Sequence, residues 1–256
     1  MLRARVIPCL LLKDKGLVKT IKFREPRYVG DPINAVWIFN RKEVDELIFL
    51  DIMATREGRQ PPIELVSTIS DQCFMPLTVG GGIRTLDDIK GLLNAGAEKV
   101  AINSYAMENP MFIQKASEFF GSQSIVVSID ARKHRDHSYE VYTHGGMKPT
   151  GFDPATFAVQ MEQLGAGEIL LNSIDRDGTM EGYDIDLIKK VSKAVNLPVI
   201  ACGGAGSLAH LAEAIKSGHA SGVAAGSFFV FHGRRRAVLI NFPTKEELEG
   251  LIRRSD

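Results

Sequence analysis

The chain has 256 residues, 45% of them hydrophobic, and balances 31 Lys and Arg against 31 Asp and Glu, a formal net charge of zero. That length suits one (β/α)8 barrel with a large core, and without a net basic face neither nucleic acid nor an anionic membrane surface is expected as the main partner. No apolar run of about 18 residues occurs, and Met1-Leu2-Arg3-Ala4-Arg5 leads straight into a strand, so a soluble cytoplasmic protein is expected.

Along the chain, short apolar runs alternate with amphipathic segments. Strands are expected at 5–11, 46–51, 76–80, 98–103, 124–130, 167–173, 198–202 and 221–226. Helices are expected at 31–44, 61–73, 85–95, 108–120, 153–165, 184–195, 207–217 and 244–254. Strand and helix in strict alternation predict a single (β/α)8 TIM barrel over 1–256, with no linker or low-complexity segment dividing it. Asp31-Pro32, Asn109-Pro110 and Asp153-Pro154 place a capping side chain before Pro at a helix start. Gly96, Gly121, Gly165 and Gly218 are expected as left-handed helix stops.

Two connections are longer than turns, and both follow strand ends on the face where such barrels place their chemistry. Residues 12–30 carry Lys13, Lys19, Lys22, Arg24 and Arg27, and read either as a mobile basic loop over an anionic substrate or as a solvated loop. Residues 131–150 form a polar, hairpin-like excursion whose His134, His137 and His144 read as solvated rather than as metal ligands. Arg234-Arg235-Arg236 reads as a solvated helix end. Cys9, Cys73 and Cys202 lack metal-ligand spacing and a nucleophile elbow, and Cys9 and Cys202 lie in strand-like runs, where inert buried thiols are expected. Neither metal nor cofactor is expected.

Residues 76–104, PLTVGGGIRTLDDIKGLLNAGAEKVAINS, recur as 198–226, PVIACGGAGSLAHLAEAIKSGHASGVAAG, at an offset of 122. Each copy is an apolar run, a Gly-rich turn, an amphipathic helix closed by Gly and a second apolar run. A parallel β-α-β unit repeated half a chain apart predicts a barrel with internal twofold symmetry. The two Gly clusters predict two anion sites on one face, 80–83 with 103–104 and 203–206 with 225–227. A ligand with a phosphate at each end would suit them.

Asp51, Asn103, Asp130 and Asp177 each stand at or just past a strand end, where a side chain can point into the barrel mouth. Asp51 reads first as a helix cap or loop brace, Asp177 in SIDRDGT equally as a turn former or a ligand contact, and Asp130 in SIVVSID as catalytic or substrate-touching. Superposing the first and fifth strands sets Asp130 against Leu11, so an acid/base carboxylate pair is not available there.

The motifs IPCLLLKD, VGDP, DELIFLDI, TVGGGIRTLDDI, KVAINS, SIDRDGT and the cluster Ala201–Gly206 resemble the cyclase subunit of imidazole glycerol phosphate synthase over residues 1 to about 230. That resemblance implies a (β/α)8 barrel that takes ammonia from a glutaminase docked on its N-terminal face. It also implies two catalytic aspartates, one at Asp130 and the other at the position held here by Leu11. Lys19, Gly81, Gly82, Asn103, Ser104, Asp177, Gly178, Gly203, Gly204, Ala225 and Gly226 fall on its substrate and phosphate positions. Ala101, Cys202 and Asn172 depart from the serine, serine and threonine the resemblance leads one to expect. Arg5, Glu46, Lys99 and Glu168 fill all four places of its ammonia gate, and Glu98 falls at the contact with the glutaminase.

An intact entrance with an altered mouth, together with the tail FVFHGRRRAVLINFPTKEELEGLI, looks most like a branch of second homologues tied to saccharide biosynthesis. The resemblance implies ammonia delivery for a separate N-acetyl sugar amidotransferase. A histidine-pathway cyclase, and an isomerase or other enzyme acting on a phosphorylated sugar, are the alternative readings.

Overall fold

Runs such as Val6–Leu12 and Ile125–Ile129 are too apolar for a half-exposed strand and fit strands covered on both faces. In the computed structural model, which describes residues 4–233 and 235–253, that is where they lie. β1 (Arg5–Lys13) leads into a hairpin of β2 (Gly16–Ile21) and β3 (Arg24–Gly30), then α1 (Pro32–Arg41), β4 (Leu47–Asp51), α2 (Ala54–Glu57), α3 (Ile63–Ser70), β5 (Leu77–Gly80), α4 (Leu86–Asn94) and β6 (Lys99–Ile102). Next come α5 (Ser104–Glu108), α6 (Met111–Phe120), β7 (Ile125–Lys133), the hairpin strands β8 (Tyr139–Thr143) and β9 (Lys148–Pro149), α7 (Pro154–Gln163) and β10 (Glu168–Ser173). The chain continues through α8 (Ile185–Ser192), β11 (Val199–Cys202), α9 (Leu208–Lys216), β12 (Gly222–Ala225), α10 (Ser227–Val230), the pair β13 (Phe231–His232) and β14 (Ala237–Val238), and α11 (Lys245–Arg253).

Strands β1, β4, β5, β6, β7, β10, β11 and β12 pair in parallel in that order, and β12 closes on β1 through Arg5↔Gly222 and Val6↔Val223. This is a (β/α)8 barrel, and its strands lie within a residue or three of the expected runs. One core cluster fills the space between strands and helices. A second, of Ile7, Cys9, Ile48, Ala101, Val126, Leu170, Ile200 and Ala224, fills the barrel axis. Alternate residues of each strand feed that axis, so the interior is layered rather than hollow.

Asp31 and Asp153 cap α1 and α7, accepting from Asn34 N at 2.9 Å and from Ala155 N at 3.0 Å. Asn109 makes no such side-chain bond, because α6 begins after Pro110. The expected 108–120 helix is α6, which starts three residues later, and the short α5 precedes it. Gly218 is not left-handed; the residue after it, His219, takes the positive φ of 61°. Where Ala97-Glu98 leads into β6, the three residues His219-Ala220-Ser221 lead into β12. The repeat offset is thus one residue larger in the second strand of the unit, and Asn103 and Ser104 correspond to Gly226 and Ser227.

The expected basic loop 12–30 is a correction. It is an ordered antiparallel hairpin, β2 paired with β1 through Leu11↔Val18 and with β3 through Lys19↔Arg27. Lys19 and Thr20 are buried within it, whereas Arg24 to Tyr28 are exposed. Arg234, in the basic run, lies outside the described residues. No helix among the described residues is long and apolar enough to cross a membrane.

Candidate active site and axial ring

A cavity of about 380 Å³ opens at the C-terminal ends of the barrel strands. Gly81, Gly82, Asn103 and Ser104 line one side of it, and Gly203, Gly204, Gly226 and Ser227 line the other. Lys19, Asp130, Asp177, Gly178, Ala225 and Leu11 also reach it, so every residue expected at the mouth converges on one space. Glycine is required at the turns. Gly82 has φ +77°, and a Cβ there would stand 2.5 Å from the Arg59 carbonyl oxygen. Gly204 has φ +112°, and its Cβ would run into the Gly182 carbonyl.

The offset shift corrects one expectation. Ala225 borders the cavity, but its side chain packs in the outer core, in register with Pro8. Gly226 and the buried Ser227 hold the places that Asn103 and Ser104 hold opposite. The rim arginines Arg56 and Arg84 were not among the expected site residues, whereas Ser227 falls in the expected 225–227 segment.

Asp130, at the top of β7, is 9% exposed, and its Oδ2 accepts from Asn103 Nδ2 at 3.0 Å. Burial pushes its carboxyl up to about 7, helped by the nearby Asp177 and opposed by the Asn103 bond. Such a group can hold or release a proton near neutral pH. Leu11 lines the cavity from β1, four strands away around the barrel, and packs with Leu50 and Cys202 on the axial core. The floor is therefore apolar on the β1–β4 side and polar on the β6–β7–β10 side. On the polar side the buried Asn172 Oδ1 has no partner.

Asp177 does two things. Its Oδ2 accepts from Thr20 Oγ1 at 2.7 Å and from Phe23 N at 3.1 Å, fixing the β2–β3 hairpin against the mouth. Burial raises its carboxyl above the usual carboxylate range, against those bonds and Lys19. Lys19 Nζ donates to the Cys9 carbonyl at 2.5 Å and sits against Gly226, and burial lowers its ammonium below the ordinary lysine value. Asp51 is a brace: Oδ1 accepts from Met53 N and Ala54 N at 2.9 and 3.0 Å, and Arg59 Nη1 lies 3.1 Å from Oδ2.

At the opposite end of the axis, Arg5, Glu46, Lys99 and Glu168 form a closed ring of alternating charge. Arg5 Nη1 lies 2.5 Å from Glu46 Oε2, and Nη2 pairs with Glu168 Oε1. Lys99 Nζ lies 3.2 Å from Glu46 and 3.0 Å from Glu168. Thr78 Oγ1 donates to Glu46 Oε1 at 2.8 Å from the layer above. Burial opposes the Arg5 charge, but its two carboxylate partners outweigh that and raise its pKa. Gly222 leaves the room: Arg5 is its register partner, and a Cβ there would meet Ile200 Cδ1 at 2.7 Å. Glu98, one residue before β6, is exposed beside the ring.

The model of the histidine biosynthesis protein family matches residues 5–235. The chain belongs to that family. A relative from Pseudomonas aeruginosa, provisionally named imidazole glycerol phosphate synthase subunit hisF2, is 51% identical over 249 residues, 97% of this chain and 99% of its own. One from Leptospira interrogans, provisionally named as a subunit of the same synthase, is 49% identical over 253 residues, 98% of this chain and all of its own. One from Vibrio vulnificus, provisionally named subunit hisF3, is 48% identical over 248 residues, 96% of this chain and 95% of its own. Within this family fold the axis has a charged ring at one end, an apolar middle, and a mouth where Leu11 on β1 stands across the barrel from Asp130 on β7.

Proposed function

We propose that this barrel receives ammonia from a glutaminase subunit docked on its N-terminal face and passes it along the axis to the mouth. The ammonia would then support amidination of an N-acetyl sugar, in surface polysaccharide biosynthesis, by a separate amidotransferase. The observation that carries this reading is Leu11. A leucine neither accepts nor donates a proton, and a positioned acid/base group contributes roughly 10²–10⁴-fold to rate. Asp130 has no carboxylate counterpart at the Leu11 position, while Arg5, Glu46, Lys99 and Glu168 are all present and mutually paired.

A docking face at the ring end is supported by two exposed aromatics. Phe74, in the turn before β5, is 86% exposed, and Phe119, in the last turn of α6, is 68% exposed; both flank the N-terminal end of the barrel. Unburied phenylalanines beside a charged opening suit a protein partner, and Glu98 adds a charge at the same face. The numbered names hisF2 and hisF3 of two relatives fit a branch that exists beside another subunit of the same kind.

A second reading, the histidine-pathway cyclase, is favoured by Asp130, whose carboxyl titrates near neutrality, and by the two glycine clusters facing one cavity. A steady-state cyclase assay on the doubly phosphorylated ribonucleotide intermediate, with excess ammonium salt in place of any glutaminase, separates the two. Our reading expects little or no turnover from the native chain and a gain in Leu11→Asp. Native turnover within tenfold of an authentic cyclase subunit would refute it.

A further inference from the structure

Cys9 and Cys202 lie at opposite ends of the sequence, yet the barrel brings them together. β1 and β11 are separated only by β12, and both cysteines face the axis just below the mouth. Cys9 belongs to the axial core cluster, and Cys202 packs against it. Both residues line the cavity, so a small solute in the mouth reaches them. Lys19 lies against the same residue, its ammonium on the Cys9 carbonyl at 2.5 Å. The third cysteine, Cys73, precedes β5 at the far end of the barrel, where its thiol donates to the Met75 carbonyl at 3.3 Å.

Thiolate, not thiol, is the reactive form, and an accepted hydrogen bond and a nearby cation both favour it. The neighbouring Cys202 draws the Cys9 thiol below its ordinary value, with Lys19 assisting and burial, Asp177 and Asp130 opposing. Cys202, with Cys9 beside it and burial acting the same way, is held well above its ordinary value and keeps its proton. Burial also pushes Cys73 up. A reactive thiol beside a second thiol in a solvent-reachable cavity is the arrangement that oxidants find first.

We propose that Cys9 and Cys202 form a hydroperoxide-sensitive dithiol, with Cys9 as the attacking and Cys202 as the resolving residue. The Cys9 thiolate attacks one oxygen of hydrogen peroxide and the O–O bond breaks. Cys9 becomes a sulfenic acid, and the departing hydroxide takes up the proton that the thiol gave off. The Cys202 sulfur then attacks the Cys9 sulfur and loses its proton, the S–S bond forms, and the sulfenic hydroxyl leaves as water. Two thiols give up two electrons, and one peroxide becomes two waters. The bridge ties β1 to β11 between the charged ring and the mouth. It requires neither the ammonia route nor the glutaminase, so the proposal stands or falls apart from the function proposed above.

The test is peptide mapping of the full chain after hydrogen peroxide, with free thiols quenched by an alkylating agent under non-reducing conditions. The expected product is a Cys9–Cys202 cross-linked peptide that disappears on reduction and forms equally in Cys73→Ser. In Cys202→Ser, Cys9 should stop at the sulfenic acid and be trapped by dimedone. Recovery of Cys9 and Cys202 as alkylated thiols, at doses that oxidise Cys73, would overturn the proposal. So would cross-links that run only through Cys73, or a Cys9 sulfenic acid that persists in the native chain with Cys202 still free.

Discussion

Burial of Asp130 at the mouth has a consequence for stability. Its carboxyl is raised from an ordinary value of 3.8 to about 7 in the folded barrel, chiefly by burial. Below about pH 4 both folded and unfolded chains hold the proton, and the group has no effect on stability. Between about pH 4 and 7 the unfolded chain ionises while the folded one does not, so stability falls as pH rises. Above 7 the loss levels off at about 4 kcal/mol. Asp130→Asn, which keeps the shape and cannot ionise, should therefore be more stable than the native chain at pH 8, with the gap closing toward pH 4. Denaturant unfolding at a series of pH values measures this, and a gap that does not change with pH would show that Asp130 titrates normally. The Leu11–Asp130 mismatch was legible in the sequence because superposing two strands needs only their alternation. The bond from Asn103 to Asp130 and the unpartnered Asn172 Oδ1 were not legible, since they depend on side-chain placement across different strands. The packing of Cys202 against the axial cluster that holds Cys9 was hidden for the same reason.

At the scale of elements, the repeated β-α-β unit accounts for most of what the sequence revealed. Its Gly clusters, amphipathic helices and strands are local patterns, and all fall where expected. The helix caps are paired too: Asp88 accepts from Arg84 N at 3.0 Å, and His210 Nδ1 accepts from Gly206 N at 3.2 Å, at the same point of each copy. What a constant offset concealed is the extra residue before β12, absorbed by left-handed His219. In a strand a slip of one residue exchanges inward and outward faces, which is why Ala225 faces out while Gly226 and Ser227 border the mouth. The β2–β3 hairpin was missed because a Lys- and Arg-rich stretch reads as solvated. Its order comes from tertiary bonds to Asp177, which no local pattern shows. The glycine clusters give a prediction at this scale. Gly204→Ala places a Cβ on the Gly182 carbonyl in a left-handed backbone, and should cost more than about 1 kcal/mol of stability. Titration with inorganic phosphate should show weakened binding in the same variant, while Gly58→Ala, at a positive φ with open space around it, should bind phosphate as the native chain does. Unchanged phosphate binding in Gly204→Ala would remove the second cluster from the anion site.

Across the whole molecule, the barrel axis connects two ends of different chemistry. The four ring residues come from β1, β6, β10 and the residue before β4, and each contributes one charge to a cycle that closes only when the barrel does. Removing one partner from such a ring leaves a buried charge uncompensated, so loss of any one of the four charges should destabilise the barrel. Glu46 and Glu168 are nearly inaccessible, and of the four Arg5 keeps the most solvent contact. The central claim is that ammonia enters at this ring from a docked glutaminase. Its most direct measurement is the rate of glutamine hydrolysis by the neighbouring glutaminase, with and without this chain, native and Arg5→Ala. The account predicts that the native chain co-purifies with the glutaminase and raises its rate. It predicts that Arg5→Ala still binds but delivers less of the released ammonia to the mouth side. A glutaminase that neither binds the barrel nor changes its rate, with Arg5→Ala indistinguishable from native, would contradict the claim and leave the ring as a structural closure.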